Sequence, residues 1–282
     1  MSRAKKIDTK EVGLDIGLIL AKYFYKTDYL HYGYWEDNLK LDANNVAKSM
    51  ENYVNYLKKK IPPGVQNVLD VGSGSGKFAR NLLDEGYQVD CVSPSPNLTK
   101  HVRKNIENRG EIFACLFEQV KTKKTYDLVL FSESFQYIPL DIAIGNAINL
   151  LKPGGYLLIC DFFRKPVEGK SPISGGHDLS KFYHKMEEEP FHQLINEDIT
   201  EYTAPNMDLV NGFLMEVLHP IYQSLFYILD NKYPRLSKFI KWKFRKKLAK
   251  ISEKYFQDKC NGDSFKKYKS YHCLLYQKVE SE

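Results

Sequence analysis

From residue 67 onward the apolar positions fall into short runs separated by turns and by stretches of helical spacing. Val68-Leu69-Asp70-Val71 is an apolar run that carries a single acid, followed at once by Gly72-Ser73-Gly74-Ser75-Gly76. Phe78, Leu82 and Leu83 then recur on one helical face. The pattern predicts a buried strand, a tight glycine turn and the start of a helix. The same alternation continues, with strands expected at 67–71, 88–93, 111–116, 126–132 and 156–161. Helices are expected at 77–85, 96–108 and 140–151, and a turn at Lys152-Pro153-Gly154-Gly155. Strands alternating with helices imply a parallel sheet covered on both faces.

The flanks differ. Residues 1–60 carry helical patterning, broken by the aromatic loop His31-Tyr32-Gly33-Tyr34-Trp35-Glu36 and stopped by Ile61-Pro62-Pro63-Gly64. After residue 161 comes a loop with Gly169, Pro172, Gly175, Gly176 and His177. A helix at 179–189, a strand at 197–202, long amphipathic helices at 208–230 and 234–256, and a last strand at 271–279 are expected. This divides the chain into an N-terminal helical cap (1–60), a core (61–204 plus 266–282) and a helical lid (205–265) inserted before the last strand. No internal repeat or low-complexity segment appears.

At 282 residues the chain is one large domain, or one domain with a sizeable insertion. It has no run of 18 apolar residues, so no membrane span is expected. The apolar stretch from Val12 to Leu20 is interrupted by Asp15 and lacks a cleavage signal, which predicts a cytosolic helix and a cytoplasmic protein. The five cysteines form no C-x-x-C pair and are expected to be reduced, mostly buried thiols. The net charge of +6 is unevenly placed: residues 235–250 hold eight Lys/Arg and no acid. Phe239, Ile240, Trp242, Phe244 and Leu248 interleave with those cations. That mixture suits a membrane interface or a lipid headgroup, or else a solvated helix docked on its apolar stripe. The sequence leaves the oligomeric state open.

The glycine spacing narrows the chemistry. A dinucleotide fingerprint has the order G-x-G-x-x-G. Here the third position of that order would be Lys77, and Asp70 stands two residues before the first glycine. The order D-x-G-x-G-x-G resembles the first motif of S-adenosylmethionine-dependent methyltransferases with the Rossmann-like fold. Tyr126-Asp127-Leu128-Val129-Leu130 is similar to the family's fourth strand, and Leu151-Lys152-Pro153-Gly154-Gly155 to the turn before its fifth. The alternative is an ordinary glycine-rich turn without a ligand. The resemblance implies a seven-stranded, mostly parallel sheet with an antiparallel last strand. It implies that Asp70 helps fix the amino-acid end of S-adenosylmethionine, while Gly72, Ser73, Gly74 and Gly76 pass beneath its sugar and methionine.

A finer resemblance rests on His31-Tyr32-Gly33-Tyr34-Trp35, similar to the aromatic segment before the cofactor domain in cyclopropane fatty acid synthases and in sterol and tocopherol methyltransferases. In that group the segment closes over the cofactor, which implies roles there for Tyr32 and Tyr34. Most of the larger family has an acid for the ribose hydroxyls where Ser93 stands. The finer group often has Thr or Ser there, and a serine offers only neutral hydrogen bonds. The resemblance further implies that Glu118 stands in for the family's adenine-binding acid, with Phe117 as a stacking partner, and that Ser132 lies at the cofactor.

Methyl transfer is an in-line displacement at an already activated carbon. The protein aligns the acceptor and handles one proton, and no metal is called for. The pocket of such a fold lies beyond the carboxyl ends of the strands, where the fourth strand delivers Ser132 to Tyr137. Glu133 is expected to orient the acceptor or act as base, or else to be a capping or surface glutamate. Gln136 and Tyr137 are expected to line the pocket. Asp161 is expected to contact ligand or to pair with Arg164. His177 is a proton-transfer candidate or a surface residue, and His31 likewise. Met207, Phe213, Met215, Tyr222, Phe226 and Tyr227 form either core or an apolar substrate wall. No His/Cys/Asp cluster has metal-ligand spacing, and no G-x-S-x-G elbow occurs. The expected function is methylation of a small apolar or amphiphilic molecule: a lipid, an isoprenoid or another natural product. Nucleic-acid methylation is disfavoured, because Ser-Glu-Ser-Phe replaces the Asn/Asp-Pro-Pro-aromatic and Pro-Cys signatures of base-modifying enzymes. The paired-glutamate loop of protein arginine methyltransferases is missing. A non-catalytic scaffold is the other rival, supported by Ser93 and opposed by the intact glycine turn.

Overall fold

The computed structural model describes residues 9–279. Its strands are β1 (Asn67–Val71), β2 (Gln88–Val92), β3 (Ile112–Phe113), β4 (Tyr126–Ser132), β5 (Leu151–Arg164), β6 (His177–Asp178), β7 (Phe191–Asp198) and β8 (Lys269–Lys278). One sheet runs β3-β2-β1-β4-β5-β8-β7, with the two-residue β6 beside the end of β5. All pairings are parallel except those of β8, which lies antiparallel to both β5 and β7. This is the expected Rossmann-like sheet with its reversed last strand.

Helices α2 (Val46–Lys58), α3 (Lys77–Asp84) and α4 (Pro96–Ile106) cover one face; α5 (Leu140–Leu150) and α6 (Leu179–Glu187) cover the other. The strands bury both faces, as a parallel sheet requires. Val68 packs with Tyr53, Leu57, Phe78, Leu82, Val102 and Ile106. Its neighbours Leu69 and Val71 point the opposite way, toward Ala143, Ile144, Ala147 and Phe182. Each fully buried large aliphatic side chain contributes roughly 1.5–3 kcal/mol. Gly76 lets α3 and α4 meet: its φ is +80°, and a Cβ there would stand 2.8 Å from the Val102 Cα.

Several expectations needed correction. The N-terminal segment is helical at α1 (Thr9–Leu20) and in a wide turn over Ala21–Tyr25, but between Lys26 and Asp42 it is irregular. Residues 1–8 lie outside the described part. The Lys152–Gly155 turn is a bulge within β5, where register jumps from Tyr126↔Leu151 to Leu128↔Tyr156. The strand expected at 197–202 lies earlier, as β7. Asp198 Oδ1 accepts from the Thr200 N–H at 2.9 Å, and the short helix α7 (Thr200–Thr203) begins there instead. β7 is an edge strand with mostly exposed side chains, so it lacks the alternation that marks a half-buried strand.

The remaining helices are α8 (Pro205–Gly212), α9 (His219–Lys232), α10 (Pro234–Tyr255) and α11 (Gly262–Tyr268), with a wide helical turn at Phe213–Leu218 between α8 and α9. Only α8 and α11 bring buried side chains to the core, through Met207 and Phe265. α9 buries no residue and α10 only Ser237. Tyr222 and Phe226 pack on each other, and Tyr222 also meets Phe256. Tyr227 is exposed. The substrate wall expected from these three residues is therefore not formed in this conformation.

Candidate active site

The carboxyl ends of β1 and β4 are crossed by a strap, residues 27–35. The Asp28 carbonyl accepts from Ser75 Oγ at 2.6 Å, and a Cβ added to Gly74 would meet Leu30 at 3.8 Å. The Tyr32 N–H donates to Glu133 Oε1 at 2.6 Å. Asn206 on α8 clamps the far end. It accepts from the Gly33 N–H at 2.8 Å and from Trp35 Nε1 at 3.1 Å, and donates back to the Gly33 carbonyl at 2.8 Å.

Beneath the strap lies the glycine turn. The Gly72 and Ser73 N–H groups both donate to the Val92 carbonyl, at 2.9 and 3.2 Å. Gly72 has φ +76°, and a Cβ there would stand 2.4 Å from Ser134 Cβ. Asp70 is 3% exposed, and its Oδ2 has no partner among the described residues. Burial pushes its carboxyl up to about 7, against a hydrogen bond from Ser73. A buried acceptor left unmatched is costly unless something completes it. An orphaned carboxylate oxygen beside a turn stripped of side chains fits a ligand that carries an ammonium group.

At the end of β4, Glu133 adopts φ +56°, unusual for a residue with a side chain. Its Oε1 accepts from both the Tyr32 N–H and the Tyr271 hydroxyl, the latter at 2.8 Å. The Tyr271 hydroxyl is 3.0 Å from that of Tyr53, which is 3.2 Å from Ser132 Oγ. Burial pushes Glu133 up to about 8; the two hydrogen bonds oppose this and the nearby Asp161 charge adds to it. Asp161 pairs with Gln136, not with Arg164: it accepts from the Gln136 side chain and N–H, each at 3.0 Å, and from its neighbour Phe162's N–H at 2.8 Å. Burial pushes it up to about 7. Tyr32, Phe162, Phe265 and Tyr271 gather with ring centroids 5.7–6.3 Å apart. Tyr137 is exposed and stands close enough to Glu133 and Asp161 to feel both charges.

The structure thus gathers Tyr32, Asp70, Gly72, Ser73, Gly74, Gly76, Ser132, Glu133 and Tyr137 at the carboxyl ends of the central strands β1 and β4. Other expected residues are occupied elsewhere. Tyr34 is sandwiched between Tyr56 and Tyr202 at 4.9 and 4.6 Å, where it anchors the strap. Ser93 is 2% exposed and accepts from Thr99 Oγ1 at 3.1 Å, within the β2–α4 turn. Glu118 is exposed on a short turn, while Phe117 is buried and packs at right angles to Phe131. Among the described residues no group of three His, Cys, Asp or Glu could hold a metal ion.

The expectation for His177 needs correction. Its Nε2 lies 3.1 and 2.9 Å from the Phe135 and Ile138 carbonyls, so it donates there and buttresses the turn that carries Gln136 and Tyr137. His177→Ala is expected to cost about 1–3 kcal/mol, or about 2–4 °C of Tm per kcal/mol, with the KM for cofactor retained. Thermal melts beside steady-state kinetics check this. His31 stacks on Tyr53 at 4.4 Å, and burial pushes its imidazole down to about 4. Its Nδ1 meets the Tyr32 carbonyl at 2.8 Å and its Nε2 has no partner among the described residues. Sequence reasoning missed Tyr53, Asn206 and Tyr271. Nothing local marks them, because their roles arise from segments far apart in the chain.

A glycine cradle, an orphaned acid and a buried carboxyl at adjoining strand ends define a nucleoside-cofactor transferase site, and comparison with known proteins gives the class. A methyltransferase-domain family model matches residues 43–198, more than half of the chain. The chain belongs to that family, as an S-adenosylmethionine-dependent methyltransferase. It is similar to a ubiquinone biosynthesis O-methyltransferase of Xanthomonas axonopodis pv. citri (26% identical over 136 residues, 46% of this chain and 57% of the relative). It is also similar to the ubiquinone/menaquinone C-methyltransferase UbiE of Wigglesworthia glossinidia brevipalpis (25% over 190 residues, 62% and 74%). The chain spans about half the length of several such relatives. Among solved structures, a geranyl diphosphate C-methyltransferase from Streptomyces coelicolor A3(2) superposes with a TM-score of 0.66 at 12% identity, covering 98% and 100% of the two chains. The [4+2]-cyclase SpnF gives 0.67 at 15%, covering 96% and 94%. At such identities the likeness is one of fold, and a shared fold does not fix the reaction.

Proposed function

We propose that the protein methylates a small apolar or amphiphilic acceptor, of the lipid or isoprenoid kind, between the strap and the carboxyl ends of β1 and β4. S-adenosylmethionine supplies a methyl group already activated by the positive charge on sulfur. In this reading Asp70 Oδ2 accepts from the cofactor's ammonium group, and the Gly72–Gly76 turn lies under its sugar and methionine. The negative faces of Tyr32 and Tyr271 favour a cation nearby. The rings of Phe162 and Phe265 supply an apolar wall.

The observation that carries the proposal is Glu133. Both of its donors fall on Oε1, which leaves Oε2 for an acceptor. A carboxyl raised to about 8 is protonated near neutral pH, and a cation brought close lowers it again. The ionised group then takes the proton the acceptor gives up: from a hydroxyl or acidic C–H as the methyl arrives, or, for an alkene, from the carbon beside the cation left once the methyl has bonded. Two resemblances support the substrate class: relatives named for ubiquinone biosynthesis, and a fold neighbour named for geranyl diphosphate. The strap and Ser93 add the likeness to lipid and isoprenoid methyltransferases. In this reading the strap belongs to a cap over the cofactor, and α8 and α11 close the pocket from the C-terminal side.

Incubation with methyl-labelled S-adenosylmethionine and a panel of unsaturated phospholipids, isoprenyl diphosphates and prenylated quinone precursors tests this. Label is expected in the organic extract or on an isoprenyl diphosphate. Label found only in added protein or nucleic acid overturns the substrate class.

A further inference from the structure

Helices α9 and α10 form a hairpin whose apolar side chains are left uncovered. Trp242 is 70% exposed, Phe239 50%, and Ile221, Leu225 and Ile228 of α9 are each more than half exposed. The hairpin is held together by a few contacts at its base. Asp230 pairs with Lys241 at 2.7 Å and accepts from Ser237, and Lys241 lies over the Phe226 ring. Those contacts turn one side of α10 toward α9.

The opposite side of α10 has a definite composition. Arg235, Lys238, Phe239, Trp242 and Lys246 recur at three- and four-residue spacing and share one narrow face. The Phe239 and Trp242 rings adjoin at 6.2 Å, and Lys243 Nζ lies 5.4 Å over Phe239. The first acid on this face is Glu253, at its far end. Between residues 213 and 255 there are ten Lys/Arg against three Asp/Glu.

We propose that this hairpin docks the enzyme on an anionic lipid bilayer, with Trp242 and Phe239 set at headgroup depth and the surrounding lysines and arginines on lipid phosphates. Long basic side chains beside aromatics are suited to that boundary, since stems and rings enter the apolar side while the charges stay wet. No described helix is long and apolar enough to cross a membrane, so the contact is peripheral. A second copy of the chain is a poor occupant, because it would set one cationic face against another within about one Debye length, ~10 Å at 0.1 M salt. Duplex nucleic acid would use the cations but offers no apolar phase for the exposed Phe239 and Trp242 rings to enter. The inference is independent of the methyl-transfer chemistry, although a membrane-resident acceptor would make the docking useful.

The chain contains two tryptophans, and Trp35 is already buried, so fluorescence reports on Trp242. The 282-residue chain is titrated with vesicles of phosphatidylcholine alone and of phosphatidylcholine with phosphatidylglycerol, and binding is read in parallel by co-sedimentation. A blue shift and binding at least about tenfold stronger to the anionic vesicles are expected, lost at high salt. Phe239→Ala with Trp242→Ala should weaken vesicle binding by about tenfold or more. Lys238→Glu with Lys246→Glu should remove the anionic preference. All four side chains are exposed, so the melting temperature is expected to hold in both variants. Equal binding to neutral and anionic vesicles, or none, overturns the proposal. So does a dimer that the Phe239/Trp242 variant dissociates, or tighter binding of RNA than of anionic vesicles.

Discussion

Glu133→Gln is expected to lower kcat by about 10²–10⁴-fold, the range set by losing a positioned proton acceptor, while the folded protein loses no stability. The amide keeps the shape and keeps an oxygen to accept from the Tyr32 N–H and the Tyr271 hydroxyl. It cannot take a proton from the acceptor. The pH dependence separates this from a structural effect. With the carboxyl raised to about 8, the wild-type kcat/KM should rise with pH through that value, and the variant should lose the rise. Stability moves the other way. The folded-state value lies above the unfolded value, so this group's contribution is fully present below the ordinary glutamate range and is lost as pH rises through about 8. The wild type should therefore melt lower at pH 9 than at pH 6, and Glu133→Gln should flatten that slope. Rate profiles and melts across this window provide both readings.

Asp70→Asn is expected to weaken S-adenosylmethionine binding by about 10–100-fold, the loss of one charge-assisted hydrogen bond. The ligand-free protein should be as stable as the wild type or more so. The reason is the same unpartnered oxygen: the folded chain buries Oδ2 without a partner and recovers nothing until a ligand donates to it. Asparagine removes the ionised form that burial penalises. Its sign also follows from a raised folded-state value, here about 7, so wild-type stability from this group is lost as pH rises through neutrality. A variant that binds less tightly yet melts no lower identifies Asp70 as a binding group and not a scaffold group. Isothermal titration and thermal melts of the two proteins decide it.

The parts of this architecture legible in the sequence are those whose signal is local. β1, β2 and β5 are largely apolar runs beside glycine or proline, β4 is an apolar run after a lysine-rich stretch, and the glycine turn announces itself by spacing. β3 shrank to two residues, and β7 was displaced because an exposed edge strand has no face to mark. The Lys152–Gly155 segment looks like a turn in sequence and is a bulge in β5, a choice made by its pairing with β4. Asp70, the glycines and Glu133 were legible because they sit at the ends of predicted strands, where ligands of this fold bind. Tyr271 and Asn206 were not. Tyr271 meets Tyr53 and Glu133 across 218 and 138 residues, and Asn206 meets Gly33 across 173. His177 shows the converse. A lone histidine after two glycines looks like chemistry until the two carbonyls it binds come into view.

The central claim is that buried carboxyls with raised affinity for protons form the seat of a cationic cofactor. Calorimetric titration of cofactor-free protein with S-adenosylmethionine near pH 7, in two buffers of different ionisation enthalpy, tests it most directly. A cationic ligand seated on Asp70 and near Glu133 drives them to ionise, so binding is predicted to release protons to the buffer, and the release should shrink in Asp70→Asn. Binding without proton release, with proton uptake, or no binding at all would contradict the account.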